Sequence, residues 1–106
     1  MANQVIEKHP DAEILFDEFD FTDELPGDSA LDATNSVVTA VDAGGSAAAS
    51  VVGTVSRDGM TLRAILQGGT NGQDYLITFK AEGDTTEQLA VKQLEMRVRT
   101  KVTGSL

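Results

Sequence analysis

The sequence predicts an all-β fold: an immunoglobulin-like antiparallel β-sandwich of six to seven strands, preceded by a short polar N-terminal arm. Three observations support this prediction. Apolar residues alternate with period two along much of the 106-residue chain, glycine-rich turn signals separate these stretches, and almost no segment shows helical periodicity. We expect one domain at residues 11–103, between an arm at residues 1–10 and a tail at residues 104–106.

The first half of the chain contains three predicted strands. AEILFDEFDF is predicted to be a strand whose alternation is disturbed between Phe16 and Phe19, and a Pro-Gly-Asp turn follows at residues 26–28. NSVVTAV and AAASVVGTV are the next two strands, with a turn at DAGGS between them. A hairpin-like turn is expected at Asp58 and Gly59.

The second half contains the clearest alternation. TLRAILQ, from Thr61, and YLITFKA, from Tyr75, each place apolar residues on one face and more polar residues on the other. Both are bounded by glycine or turn residues, so both are predicted to be strands that cover one core.

The last segment, TEQLAVKQLEMRVRTKV, changes phase partway along. Leu89 and Val91 are odd-numbered, whereas the later apolar positions are even-numbered: Leu94, Met96, Val98 and Val102. A β-bulge near Lys92 and Gln93 would bring both sets to one face. A helix is the alternative, because Gln, Glu, Met and Lys favour one, but the later alternation fits a strand better.

The stretch LQGGTNGQDYLITF carries three closely spaced glycines, Gly68, Gly69 and Gly72, before Tyr75. A phosphate-binding loop would need its glycines to lead into a helix, with a nearby Lys and Ser/Thr or G-x-G-x-x-G spacing. This stretch leads into a strand and has neither feature, so it is predicted to be a structural corner. A tyrosine at the start of a late strand of such a sandwich can pin the corner through its hydroxyl.

The formal charge of −9 is concentrated at the N-terminal end. Residues 1–32 contain ten acidic residues and one lysine, whereas the remainder contains seven acidic and seven basic residues. This distribution argues against nucleic-acid binding. The acidic run is either a solvated edge or a surface that docks on a basic partner.

Two charged groups are the candidate interface residues. The acidic group is Asp17, Glu18, Asp20, Asp23 and Glu24, and the basic group is Arg97, Arg99 and Lys101. The basic residues share one parity and should form a ridge on the outer face of the last strand. The two groups could pair as neighbouring edge strands within one chain, or between chains in a head-to-tail ring. The polar arm could also add to an exposed sheet edge of a partner, although a frayed terminus is the simpler alternative.

Catalysis and metal binding are not expected. His9 is the only histidine and lies in the polar N-terminal lead, so neither a Ser-His-Asp arrangement nor a multi-His metal site is expected within one chain. No cysteine is present, so no disulfide is expected, which suits a protein that matures in a reducing cytosol. The carboxylates of four acidic residues could bind Ca²⁺, but they miss the EF-hand spacing, and solvated surface acids are the commoner alternative: Asp17, Asp20, Asp23 and Asp28. No cofactor is expected, nor a signal peptide or membrane span, since no suitable apolar run exists.

Three segments of the chain resemble the phage fiber-tail adaptor proteins, a family of small virion components of tailed bacteriophages. They are KHPDAEILFDEFDFTDELPGD, SVVTAV and LQGGTNGQDYLITFKAE, and the likeness spans about residues 8–102. The last segment is similar to the family's Gly-Gly-Thr-x-Gly-x-x-Tyr corner.

The resemblance implies a non-enzymatic structural protein at the tail or neck of the virion, made in the host cytoplasm. Its implied partners are other structural proteins of the tail, neck and fibers, and a homo-oligomeric ring. The alternative is a binding or capsid-decoration module that recognises a surface protein or sugar. Sugar binding is less expected, because all five aromatic residues lie in or beside predicted strands rather than in loops.

Overall fold

The computed structural model describes residues 4–32, 34–86 and 88–100, which form seven β-strands and one short 3-10 helix. The strands are β1 (Gln4–Lys8), β2 (Ile14–Asp20), β3 (Val37–Asp42), β4 (Val52–Asp58), β5 (Thr61–Leu66), β6 (Asp74–Glu82) and β7 (Leu89–Val98). The 3-10 helix, Ala49–Val51, precedes β4. In this part of the chain no helix is long and apolar enough to cross a membrane.

The strands form two sheets, and the predicted all-β class is confirmed. The four-stranded sheet has the order β1-β7-β6-β3, and the three-stranded sheet has the order β2-β5-β4. Every neighbouring pair is antiparallel except β1 and β7, which run parallel. The lead that the sequence predicts as an arm therefore contributes, over residues 4–8, an edge strand of the four-stranded sheet.

The core lies between the two sheets because the alternating residues of their central strands face each other. On β5 the even-numbered residues from Leu62 to Leu66 are buried, and on β6 the odd-numbered residues from Tyr75 to Ala81 are buried. Burial of each large apolar side chain contributes about 1.5–3 kcal/mol. The face assignments predicted for these two strands are confirmed.

A cluster of three phenylalanines fills the centre of the sandwich. The pairing of β2 with β5 shifts between Phe16 and Phe19, as the disturbed alternation predicts, and this bulge turns both rings inward. The ring centroids of Phe16 and Phe19 are 4.8 Å apart. Both rings also contact Phe79 from the opposite sheet, at centroid distances of 5.4 and 5.0 Å. Such tilted and edge-on contacts stabilise the core beyond simple burial.

The bulge predicted near Lys92 and Gln93 is wrong. Strands β6 and β7 pair without interruption from Asp74 opposite Arg97 to Glu82 opposite Leu89. Because this ladder is regular, alternation along β7 is strict, and Leu89 and Val91 point away from the core with 53% and 54% of their surfaces exposed. The uninterrupted backbone hydrogen bonds of a central strand take precedence over burying two more side chains.

The predicted turns occur where expected. The amide of Asp28 donates to the carbonyl of Leu25, which closes the Pro-Gly-Asp turn, and the amide of Gly45 donates to Asp42 in the turn after β3. Gly59, at a φ of 58°, occupies the two-residue loop that joins β4 to β5.

Candidate interaction surfaces

The glycine corner connects β5 to β6 at one end of the sandwich. Gly68, Gly69 and Gly72 all have positive φ angles, 56°, 92° and 89°. The Tyr75 hydroxyl accepts a hydrogen bond of 3.0 Å from the Thr70 amide, and the tyrosine ring is buried. The hydroxyl thereby holds the backbone of the corner over the first residues of β6.

Gly69 is also the point where the corner approaches the core most closely. A Cβ atom at this position would lie 2.7 Å from Cγ2 of Val98 and 3.3 Å from Cε2 of Tyr75. A Cβ atom at Gly68 or Gly72 would meet nothing within 4 Å. Close contact therefore opposes a side chain only at Gly69, whereas the positive φ angle disfavours a side chain at all three glycines.

Lys8 joins the N-terminal strand to this corner. Its side chain is buried because it lies opposite Val98 on the inner face of the sheet. Its ammonium donates to the carbonyl oxygens of Gly68 and His9, each at 2.7 Å. Burial lowers the pKa of Lys8, and the negative charges of nearby acids partly oppose that shift. No spacing or motif in the sequence indicates this contact, although Lys8 opens one of the segments that resemble the family.

The basic residues of the last strand divide into two environments. Arg99 belongs to the corner: its guanidinium lies 2.8 Å from the Asp74 carboxylate and also donates to the carbonyls of Val98 and Gln73. Arg97 lies on the outer face, 3.3 Å from the Glu95 carboxylate. Lys101 lies outside the described residues.

The acidic group lies on β2 and the loop that follows it. Lys92 of β7 is the basic residue that contacts this group: its ammonium lies 3.0 Å from the Glu24 carboxylate and donates to the Asp20 carbonyl at 2.9 Å. The ammonium also lies 5.3 Å from the centre of the Phe21 ring, within range of a cation–π interaction. The Thr22 hydroxyl and amide, which both donate to the Asp20 carboxylate, lower its pKa.

The remaining acidic residues are less constrained. Glu18 accepts a hydrogen bond of 3.2 Å from Gln4 of β1. Asp17 and Asp23 are exposed, and the side chain of neither has a hydrogen bond or an ion pair within the described ranges. The structure does not place the acidic group beside Arg97 and Arg99 on a neighbouring strand, because β2 and β7 belong to different sheets.

Asp28 fastens two loops at the end of the sandwich opposite the corner. One carboxylate oxygen accepts the amides of Thr85 and Thr86 at 2.8 and 2.9 Å, and the other accepts the Thr86 hydroxyl at 2.6 Å. These bonds, with the Thr86 hydroxyl first, lower the pKa of Asp28. Over the part of the chain that the structure describes, no group of three His, Asp or Glu side chains is placed to hold a metal.

The outer face of the four-stranded sheet carries several apolar side chains although it faces solvent. It carries four exposed apolar residues: Val5, Val37, Leu89 and Val91. A groove of about 680 Å³ crosses this face over Val5, Leu76 and Val41. All five aromatic residues are buried, so none is available on any surface to stack against a ligand.

Comparison with known proteins gives one family. Residues 8–99 match the family model described as "Podophage GP4 fiber-tail adaptor protein gp77". No curated protein and no solved structure matches the chain. The matched range contains all of β2 to β7, the glycine corner and Lys8. The chain therefore belongs to the podophage fiber-tail adaptor family, as the three resembling segments predict.

Proposed function

We propose that the protein is a non-enzymatic structural component of a tailed-bacteriophage virion, which connects tail or neck rings to fibers through protein–protein contacts. The family match over residues 8–99 is the observation that carries this proposal. The protein would be made in the host cytoplasm, would need no cofactor, and would act through the surfaces of an immunoglobulin-like sandwich.

The arrangement of side chains supports binding through complementary protein surfaces rather than catalysis. The space between the sheets is filled by apolar side chains, so the grooves of the protein lie on its surface. The charged groups with short contacts have structural partners: Lys8 holds the corner, and Asp28 holds two loops. A surface of this kind suits a connector, in which many weak contacts are repeated by symmetry.

We further propose that Asp17 and Asp23 on one copy face Arg97 on the next in a homo-oligomeric ring. The two acids have no partner within the described ranges, and Arg97 has only the exposed contact with Glu95. An exposed ion pair of this kind contributes little to folding, so both sides remain available to a neighbour. Glu18, Asp20 and Glu24 would then contribute mainly through the negative field of the same surface.

This interface can be tested with Arg97→Glu, because Arg99 is tied to the corner and its replacement would disturb folding. Lys80→Glu is the matched control: it makes the same change of charge at an exposed position of the same sheet. We expect Arg97→Glu to reduce incorporation into particles, and Lys80→Glu to leave it normal, with both variants melting near the wild-type temperature. Equal incorporation of the two variants would contradict the interface.

The alternative, a module that recognises a surface protein or sugar or decorates the capsid, shares the same sandwich. Stacking on sugar rings needs exposed aromatic side chains, and all five aromatic residues here are buried. The burial of the aromatics therefore disfavours sugar recognition, and it leaves protein surfaces as the favoured targets.

Mass spectrometry and cryo-electron microscopy of purified virions test the proposal directly. We expect the protein at a fixed copy number that matches the symmetry of the tail or neck. Virions that lack the protein altogether would overturn the proposed function, and a location on the capsid shell would favour decoration.

A further inference from the structure

Strand β4 is one of the four edge strands of the described chain, with β1, β2 and β3. The edge of β3 is partly covered by the turn that follows it, since Ala48 donates to Ala40 and Asp42 donates to Ser46. The edge of β2 is interrupted by its acidic bulge. Strand β4 also has a register shift, between Val52 and Val55, but residues 55–58 pair regularly with β5 and make no backbone hydrogen bond to any other described segment.

The hairpin that joins β4 to β5 determines which backbone groups face outward. Asp58 and Thr61 flank its two-residue loop and therefore bond to each other. Bonded and unbonded pairs alternate along an antiparallel ladder, so Ser56 bonds to β5, whereas Val55 and Arg57 do not. The N–H and C=O groups of Val55 and Arg57 therefore point to the open edge. They form a row of two donors and two acceptors.

The side chains of the same two residues leave a slot beside this edge. Val55 and Arg57 lie opposite Ala64 and Leu62, whose side chains are buried in the core, yet Val55 is 38% exposed and Arg57 is exposed. They point to the inner side of the sheet and yet remain exposed to solvent. A groove of about 340 Å³ opens there, between these residues and Ser36.

The charge in this slot is uncompensated. Arg57 has neither a hydrogen bond nor an ion pair within residues 4–32, 34–86 and 88–100, although the protein carries a net charge of −9. An arginine beside unbonded backbone groups is a suitable anchor for an extended segment that carries a carboxylate.

We propose that β4 receives an extended segment of a partner protein as an additional strand, with the partner's backbone bonded to Val55 and Arg57 and one carboxylate facing the Arg57 guanidinium. A small apolar side chain of the segment would occupy the slot beside Val55. This inference rests on the proposed connector function and identifies the edge through which one of its partners binds.

A second copy of the chain fits this edge poorly. An antiparallel register that uses all the outward groups of both copies places Arg57 of one copy across from Val55 of the other. The two Arg57 guanidinium groups then lie diagonally on one face with no carboxylate between them, and like charges so placed destabilise a sheet. A segment from a different protein, with an acidic residue, removes this repulsion.

Residue-resolved hydrogen exchange tests the strand addition on the wild-type protein. In the free protein, the amides of Val55 and Arg57 should exchange rapidly, whereas that of Ser56, bonded to β5, should exchange slowly. In assembled particles we expect exchange at Val55 and Arg57 to slow by at least about tenfold, to the range of Ser56. Unchanged exchange at these two amides in particles that contain the protein would overturn the inference.

Two variants test the same edge in reconstitution, in which purified protein is added to particles made without it. Val55→Pro removes an outward N–H that β5 does not use, and Arg57→Glu reverses the anchor charge. We expect each to lower incorporation on the order of tenfold, with the Lys80→Glu control near wild type. Normal incorporation of Arg57→Glu would overturn the inference, and so would self-association of the free protein that Val55→Pro abolishes, because the occupant would then be a second copy.

These outcomes separate the inference from the function on which it rests. If the wild-type protein is missing from virions, the connector function fails. If the wild-type protein is incorporated and the β4 variants are incorporated equally, only the strand addition fails. If Val55→Pro does not fold, as judged by circular dichroism, the exchange measurement on the wild-type protein decides the question.

Discussion

Replacing the glycines of the corner by alanine separates backbone strain from steric exclusion. Gly72→Ala places a Cβ in open space at a φ of 89°, so it should cost only the strain of that conformation, about 1–2 kcal/mol. Gly69→Ala has nearly the same φ, 92°, but its Cβ would also lie 2.7 Å from the Val98 side chain. Forcing an extra carbon into a packed site adds about 1–3 kcal/mol.

The difference between the two variants is therefore the measured quantity. Each replacement also reduces the freedom of the unfolded chain by about 0.4–1 kcal/mol, and this effect cancels in the comparison. Equilibrium urea unfolding followed by far-ultraviolet circular dichroism should show Gly69→Ala less stable than Gly72→Ala by about 1–3 kcal/mol. In a domain of this size, each kcal/mol lowers Tm by about 4–8 °C.

Equal stability of the two alanine variants would refute the close approach of the corner to Val98. The local environment provides an independent readout. Tyr75 is the only tyrosine and the protein has no tryptophan, so intrinsic fluorescence reports on this corner alone. We expect Gly69→Ala to change that fluorescence before unfolding, and Gly72→Ala to leave it near the wild-type signal.

Three further predictions follow from described contacts. Tyr75→Phe should lower the free energy of unfolding by about 0.5–1.5 kcal/mol because the Thr70 amide loses its acceptor, and an unchanged Tm would count against the tyrosine's role in the corner. Leu94→Ala should lower the free energy of unfolding by about 2–5 kcal/mol because Leu94 is buried, whereas Val91→Ala should lower it little because Val91 is exposed. A large loss of stability in Val91→Ala would instead support a bulge near Lys92 and Gln93. The pKa of Asp28 is lowered from its usual value of 3.8, so its stabilisation is present above that pH and is lost as the pH falls through the folded pKa. Asp28→Asn should therefore weaken the acid dependence of Tm, and identical pH profiles for variant and wild type would contradict that assignment.

Local patterns in the sequence predict the central strands because each alternation is a property of a few adjacent residues. The irregular spacing of Phe16 and Phe19 predicts a disturbance in β2, and the structure shows that it is a bulge, since two apolar residues three positions apart reach one face only around an extra residue. The same reasoning fails at β7. Leu89 and Val91 resemble core residues in type, but the ladder with β6 fixes their direction.

The contacts that the sequence does not reveal join distant parts of the chain. Lys8 reaches Gly68, and Asp28 reaches Thr86, and neither pair has a spacing or motif that links its members. Charge alone identifies the acidic and basic groups in the sequence, but charge does not determine the sheet on which each group lies. The topology decides this, and it leaves Lys92 rather than Arg97 in contact with the acids.

The position of β7 affects the order in which the protein can fold during synthesis. This strand lies between β1 and β6, and Gln4 of the first strand pairs beside Leu94 of the last. On the ribosome, the earliest strand must therefore wait for nearly the whole chain before its neighbour emerges. Until then the Lys8 ammonium stays hydrated and the backbone edge of β6 that pairs with β7 stays unpaired, so the nascent chain closes its larger sheet in a late, long-range step.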